Sequence, residues 1–394
     1  MKIALITHFR KMPDSYSPGN ALRAQVSMLQ KYGHEPVVFT QEKSDAVLGC
    51  EVRSVVPHFK REKNVVNQEI KEKFKEILKK ELIGFDIAIT HDIMYIDDCI
   101  TYREAIRECG VDIRWLHWAR SGVGRKIDLS MPKAKYVYMN YKDIDRFASL
   151  ISVSPTDIRV IFNTLDIRDF FDWHEISRRI SEKIDLFNRD IVQVYPMCST
   201  RMDAKGIDHV IKLFGKLKKL GNNVLLVIAN ANASRVGELI KAKIDYAKRE
   251  GLTDDEILFT STIGEDTLRQ VPRRVIRDLM QIANLFIFPT ISEVCSNVLL
   301  EASISKQLLV LNRDFPPLFD FGIDGKTCLG SNFGSLIQKS FQFRGEEQYM
   351  RLAKVIHQHL LQDKANQQFR MILKNHNIDK VYKNQLEPCL YENY

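Results

Sequence analysis

No apolar stretch in the chain approaches the roughly 20 residues that a helix needs to cross a bilayer, so no membrane span is expected. Seven cysteines lie scattered without a CxxC or CxxH spacing, which argues against both a disulfide framework and zinc. Internal repeats and low-complexity tails are lacking. Two basic clusters are present, but neither carries the interleaved aromatics of nucleic-acid readers. The one Asp-x-Asp after a strand, Asp143 and Asp145, falls where a helix begins and has no other ligand at useful spacing, so no metal is expected. Met1 to Thr7 is too short for the apolar region of a signal peptide and reads as a first strand. Cytoplasm is the expected compartment, with peripheral membrane contact left open by the basic surface.

What is present fits two α/β domains: 394 residues, 45% apolar and 27% charged. A net charge of +8 points to an anionic partner such as a phosphorylated substrate, a membrane surface or nucleic acid. Between Lys60 and Glu81 eight basic residues interleave with five acidic ones. The apolar positions Ile70, Phe74, Ile77 and Leu78 fall on one helical face, as in an ordinary surface helix. Arg269, Arg273, Arg274 and Arg277 precede a helix and read as its solvated face.

Strand and helix signals alternate from the start, as in βαβ units. Strands are expected at 3–6, 36–40, 85–90, 112–117, 135–139 and 159–162, with helices at 21–32, 68–82 and 97–109. The pattern restarts at 191–195 and continues through strands at 223–229, 257–260, 285–288 and 308–311. Helices are expected there at 206–220, 234–250 and 297–305. These signals imply an amino-terminal domain at 1–185, a second domain at 186–365 and a helical tail at 366–394. Residues 166–188 read as a bridge between the two lobes.

The most informative segment runs from Pro289 to Glu301. A charge-free strand, Leu285 to Phe288, stops at Pro289, and Ser296 is placed to cap a helix whose apolar face begins at Val298, Leu299 and Leu300. Glu293 then lies in the loop at the strand's carboxyl end, where ligands bind in open α/β sheets. Glu301 lies more than one turn inside the helix. A helix start suits a phosphate, through the N–H groups of Ser296, Asn297 and Val298. A carboxylate one turn further in can accept from ribose hydroxyls, and one in the loop from a sugar ring. Two solvated glutamates flanking a helix start would give the same spacing. Arg201 and Lys205 sit at another strand end before Gly206, and two cations at a helix start call for an anion. A diphosphate whose charge grows as a glycosidic bond breaks is such an anion. Gly19 lets backbone approach a phosphate without a Cβ. His117 ends an apolar strand, and His91 ends the one before it.

Six segments in order carry a resemblance: Ser17-Pro18-Gly19-Asn20, Tyr32-Gly33-His34-Glu35, Phe85 to Asp92, Val160 to Asp166, Thr200 to Gly206, and Glu293 to Glu301. Together they resemble the GT-B glycosyltransferases, specifically the retaining class called family 4 or glycosyl group 1. The resemblance covers about residues 1–320. It departs from the family pattern at Val294-Cys295-Ser296, at Ser305 to Leu308, in the Arg201–Lys205 spacing and at Pro18.

The resemblance implies two Rossmann-like doubly wound domains facing a central cleft. It also implies transfer of a sugar from a nucleoside-diphosphate sugar, with no other cofactor. By it, Arg201 and Lys205 neutralise the diphosphate, and Glu293 binds donor-sugar hydroxyls. Glu301 binds the ribose, and Gly19 and Asn20 approach the diphosphate. His117 lies near the transferred sugar, with His91 its competitor. Envelope polysaccharide or glycolipid synthesis is the expected role. Glycosylation of modified DNA bases, an epimerase or phosphorylase, and a catalytically silent binding protein are the rival readings.

Overall fold

In the computed structural model all residues are described except 11–15, 43–47, 121–122, 124, 232, 234–236, 294–295, 336–339, 342–344 and 393–394. The chain divides into two compact units. Unit 1 comprises Met1–Asp166 and Asn375–Tyr394, and unit 2 comprises Ile167–Lys374. These divisions differ from the boundaries expected from sequence, 185/186 and 365/366.

Unit 1 is built on seven strands: β1 (Lys2–Thr7), β2 (Glu35–Gln41), β3 (Glu51–Val56), β4 (Ile87–His91), β5 (Arg114–Trp118), β6 (Ala134–Tyr138) and β7 (Ile158–Val160). Their order is β3-β2-β1-β4-β5-β6-β7, and every pairing is parallel. This is the doubly wound order, whose switch point lies between β1 and β4. Helices α1 (Ser17–Lys31), α2 (Gln68–Glu81), α3 (Ile100–Glu108) and α4 (Ile144–Ile151) complete the amino-terminal portion.

Alternate residues of each strand enter two different cores, as the period of two requires. Ala4, Ile6, Val37 and Phe39 pack with Phe74, Leu78, Tyr102 and Phe147, which belong to α2, α3 and α4. Ile3, Leu5, Val38, Ile87 and Ile89 pack on the other face with Leu22, Val26 and Leu29 of α1. Ile378, Val381, Tyr382, Leu386 and Leu390 from the end of the chain join that second face. The returning segment is also fixed by polar contacts. Tyr32 stacks on Tyr382 at 3.7 Å, His34 Nε2 bonds Tyr382 Oη at 2.6 Å, and Arg114 donates to the Leu390 carbonyl at 2.7 Å. Arg159 holds the Glu392 carboxylate with Nε and Nη2.

Unit 2 opens with α5 (Ile167–Phe170) and α6 (Glu175–Lys183), the segment expected to bridge two lobes. Trp173, Ile176 and Ile180 are buried with Val192, Val194, Val275 and Leu279, so this segment is part of the unit's own core. Strands β8 (Ile191–Cys198), β9 (Val224–Ala231) and β10 (Ile257–Phe259) form one parallel sheet in the order β10-β9-β8. Strands β11 (Leu285–Phe288), β12 (Leu308–Asn312) and β13 (Leu329–Ser331) form another, in the order β11-β12-β13. The helices are α7 (Ile207–Lys219), α8 (Gly237–Arg249), α9 (Arg273–Met280), α10 (Asn297–Ile304), α11 (Glu346–Gln362) and α12 (Lys364–Asn375).

Side chains stitch the two sheets of unit 2 together. Gln193 on β8 donates to the Ile287 carbonyl and accepts from the Ile287 N–H, both at 2.9 Å. Asn284 Oδ1 likewise accepts from Val192 N at 2.9 Å. A fully buried amide thus supplies the donor and acceptor that a strand ladder would otherwise provide.

Each unit is therefore an open parallel α/β structure of the Rossmann-like kind that the sequence implied. Among the described residues no helix is long and apolar enough to cross a membrane. Among the described residues Cys50, Cys99, Cys109, Cys328 and Cys389 form no disulfide.

Candidate active site

Two loops of unit 2, both at carboxyl ends of parallel strands, bring the expected residues together. β8 runs into a short 3₁₀ turn, Ser199–Arg201, and α7 starts behind Gly206, whose φ of 69° is left-handed and favours glycine. Lys205 lies just before that glycine. Its carbonyl accepts from Tyr195 Oη at 2.6 Å, which anchors the loop to the core. Its ammonium group forms an ion pair with Glu293 from the loop after β11. Both side chains are largely enclosed, at 11% and 20% exposure, and the Lys205 ammonium also stands 5.2 Å from the centre of the Phe288 ring. Arg201 Nη2 donates to the Ser292 carbonyl at 3.4 Å, and Ile291 N reaches the Ala204 carbonyl at 3.4 Å. Arg201, Lys205 and Glu293 therefore share one place in the fold.

Helix α10 begins beside this pair. Ser296 caps it, as expected, with Oγ accepting from Leu299 N at 3.3 Å. Asn297 and Val298 form the helix's first two positions, whose N–H groups have no partner within the helix itself. Val294 and Cys295, where the sequence departs from the family pattern, lie outside the described residues.

Glu301 is engaged differently from the sequence expectation. Its Oε1 accepts from Arg273 Nε at 2.9 Å and from Nη2 at 2.8 Å. Both contacts use the same oxygen. The arginine cluster, read from sequence as a solvated face, is paired at three positions: Arg273 with Glu301, Arg274 with Asp172 and Arg277 with Asp278.

Three expectations for unit 1 need correction. Gly19 and Asn20 do not lie in a loop after the first strand. Pro18, pre-set for a first helical turn, starts α1 at Ser17, so both residues are helical. Gly19 is buried, and Asn20 Oδ1 accepts from Arg23 at 2.7 Å. His117 does not point out of its strand end. It is fully buried, its Nδ1 bonds Thr90 Oγ1 at 2.9 Å, and its ring lies among those of Trp115 and Tyr136. Burial pushes its pKa down to about 3, so the ring is neutral.

The carboxyl ends of β4 and β5 instead carry a polar cluster that sequence reasoning singled out only through His91. His91 Nδ1 accepts from Arg120 Nε at 3.2 Å, which places the imidazole proton on Nε2 because arginine can only donate. That Nε2 is buried and has no hydrogen-bond partner among the described residues. Arg120 also reaches Asn163 Oδ1 at 3.0 Å and lies 5.2 Å over the Trp118 ring. Asp92, at a left-handed φ of 57°, accepts from Arg120 N at 2.7 Å. Burial lowers the Arg120 pKa to about 10 against the opposing pull of Asp92. Burial also holds His91 well below its ordinary value, helped by Arg120 and His8. The available signal was a His-Asp pair at one strand end with an arginine two residues past the end of the adjacent strand.

Among the described residues no group of three or more His, Cys, Asp or Glu side chains is placed to hold a metal ion.

No protein-family model matches the chain, and no curated protein matches it. Solved structures similar to it include HepE of Anabaena in complex with UDP, at 12% identity over 99% of each chain and a TM-score of 0.36. A glycosyltransferase from Rickettsia africae ESF-5 is 15% identical over 100% of each chain, with a TM-score of 0.36. WaaG, a glycosyltransferase involved in lipopolysaccharide biosynthesis, is 13% identical over 99% of this chain and 100% of its own, with a TM-score of 0.33. Likeness at this level carries no argument about the site.

Proposed function

We propose that the chain is a retaining glycosyltransferase of the GT-B kind. It would move a sugar from a nucleoside-diphosphate sugar to an acceptor hydroxyl in cytoplasmic synthesis of an envelope polysaccharide or glycolipid. The observation that carries this reading is the enclosed Lys205–Glu293 pair beside Arg201, at two strand ends and next to the start of α10. Cations so placed stabilise a leaving diphosphate more than the intact donor, because its charge is larger when the bond is half broken. The Asn297 and Val298 N–H groups add donors on the side of the positive helix end. The Glu301 carboxylate, whose Oε1 is held by Arg273, would accept from ribose hydroxyls.

In this reading Glu293 changes partner on donor binding. It gives up the Lys205 ammonium to the diphosphate and accepts from a hydroxyl of the sugar. The acceptor attacks from the leaving-group side, and the departing phosphate oxygen takes its proton. Positioning and charge stabilisation supply the rate, and no metal is required.

Hydrolysis of a nucleoside-diphosphate sugar without acceptor, read as release of nucleoside diphosphate, tests the proposal. A thermal-shift screen of nucleoside diphosphates selects the donor base, since a ligand held only by the folded state raises the melting temperature. Lys205→Ala is expected to lower release by roughly 10²–10³-fold, and Glu301→Ala to weaken nucleotide binding. A wild-type chain that releases no nucleoside diphosphate would leave the silent binding protein as the better reading, and a Lys205→Ala variant that turns over unchanged would remove Lys205 from the chemistry.

A further inference from the structure

A second cavity of unit 2, of about 250 Å³, lies at the carboxyl ends of β12 and β13, against the first turns of α11. It is lined by Arg313, Asn332, Phe333, Gln348, Tyr349 and Arg351 among others, and contains none of Arg201, Lys205, Glu293 or Glu301. Ligands gather at the carboxyl ends of strands in sheets of this kind.

The walls of this cavity are built, not incidental. Arg313 Nε is held by Asp324 Oδ2, and a Cβ placed on Gly330 would overlap that ion pair. Asp324 is itself fixed by the Gly330 N–H at 2.7 Å. Asn332 Nδ2 donates to Asp314 Oδ1 at 2.6 Å, while Asp314 Oδ2 accepts from Gly334 N at 2.8 Å. Buried Asn312 accepts from the N–H groups of Asp314 and Phe333 at 3.1 and 3.0 Å, which sets the backbone of both. Phe333 and Tyr349 are 2% and 4% exposed and supply the aromatic walls. Tyr349 is fixed through its hydroxyl to His209, which burial keeps neutral with a pKa of about 4.

Charge decides the class of ligand. Both arginines among the described lining residues are already paired, Arg313 with Asp324 and Arg351 with Glu347 at 2.8 Å, so neither is an uncompensated cation for a phosphate. The cavity offers the N–H donors of two guanidinium groups, of which that of Arg313 is fixed by Asp324, with the amides of Asn332 and Gln348 and aromatic walls. Donors and acceptors around an apolar face match a neutral sugar ring. The volume lies just below the roughly 300–1,000 Å³ of drug-sized sites, which suits one ring and not a nucleotide. We propose that this cavity is a binding subsite for one neutral sugar residue, separate from the donor site.

Saturation-transfer NMR with methyl glucoside, methyl galactoside and methyl N-acetylglucosaminide tests the proposal, with inorganic phosphate as competitor. Gln348 and Arg351 are exposed, so Gln348→Ala and Arg351→Ala should fold as the wild type does. At least one methyl glycoside is expected to bind the wild type and Lys205→Ala alike, and to bind tenfold or more weakly to Gln348→Ala and Arg351→Ala. The proposal is overturned if no glycoside binds. It is equally overturned if binding disappears in Lys205→Ala but survives in Arg351→Ala, or if phosphate displaces the sugar. The result does not depend on whether the chain transfers sugar, because nucleotide release is read separately.

Discussion

Replacing His117 by Asn should make unit 1 less sensitive to acid. The imidazole is enclosed in the sheet and its pKa falls from 6.5 to about 3 through burial alone. The unfolded chain therefore takes up a proton at His117 as pH drops below about 6.5, while the folded chain does not until about 3. A lowered folded-state pKa makes stability fall with pH across that window and level off beneath it. Integrating between about pH 7.5 and about pH 4.5 gives a loss of about 2.7 kcal/mol from this one side chain. Asparagine keeps a group able to bond Thr90 but does not titrate. It also leaves space where the ring was, and the variant should start about 1–2 kcal/mol less stable at neutral pH. The difference in stability between wild type and variant should then close or reverse as pH falls. Urea unfolding followed by tryptophan fluorescence reads this, because Trp115 stacks on His117 at 5.8 Å. His8 and His91 remain in the variant, so its own acid slope persists, reduced by one histidine. Equal losses in the two proteins between the two pH values would refute the claim that His117 is held neutral.

Gln193→Leu should cost about 2–6 kcal/mol, because it strands the buried N–H and C=O of Ile287 and each such group costs about 1–3. A shift of the urea midpoint reported by Trp173 in unit 2 would show it, and an unchanged midpoint would mean that the two sheets do not need the stitch. Deleting residues 376–394 should prevent unit 1 from folding. Burying Ile378, Val381, Leu386 and Leu390 is worth about 1.5–3 kcal/mol each, comparable in sum to the roughly 5–15 kcal/mol that holds a domain together. Limited proteolysis should find the truncated unit 1 digested rapidly, and a protease-resistant truncated chain would sink the argument.

Strands packed on both faces were the most readable part of the fold. Leu285–Phe288, for instance, falls on the expected residues. The edge strand β3 was not seen, because Glu51–Val56 mixes charge with apolar residues and leaves only Val56 buried. Helix α1 starts at Ser17, four residues before the expected Ala21, because Pro18 and Gly19 have the composition of a loop while proline at a first helical turn is a starter. Unit membership was harder still. Ile167–Lys183 is rich in charge, and only its spaced Ile176 and Ile180, with Trp173, show that it belongs to a core.

The site divided along a physical line. Arg201, Lys205 and Glu293 come together because each follows the carboxyl end of a strand, and β8 and β11 are held against each other through Gln193 and Asn284. Side-chain direction within a strand was not readable for a residue flanked by apolar neighbours. His117 and Trp118 are adjacent in sequence and therefore point to opposite faces. Trp115 to Trp118 are all buried, so no polar alternation distinguishes those faces. The tertiary partner settles it: Thr90 waits inside for His117, whereas Trp118 lies against Arg120 at the strand's end. The same reasoning accounts for Arg273 and Glu301. They are 28 residues apart on different helices, and their pairing depends on how α9 and α10 pack, which neither helix's own periodicity encodes. Chemistry concentrated at chain breakpoints can thus be read locally, while chemistry assembled across packed elements needs the fold.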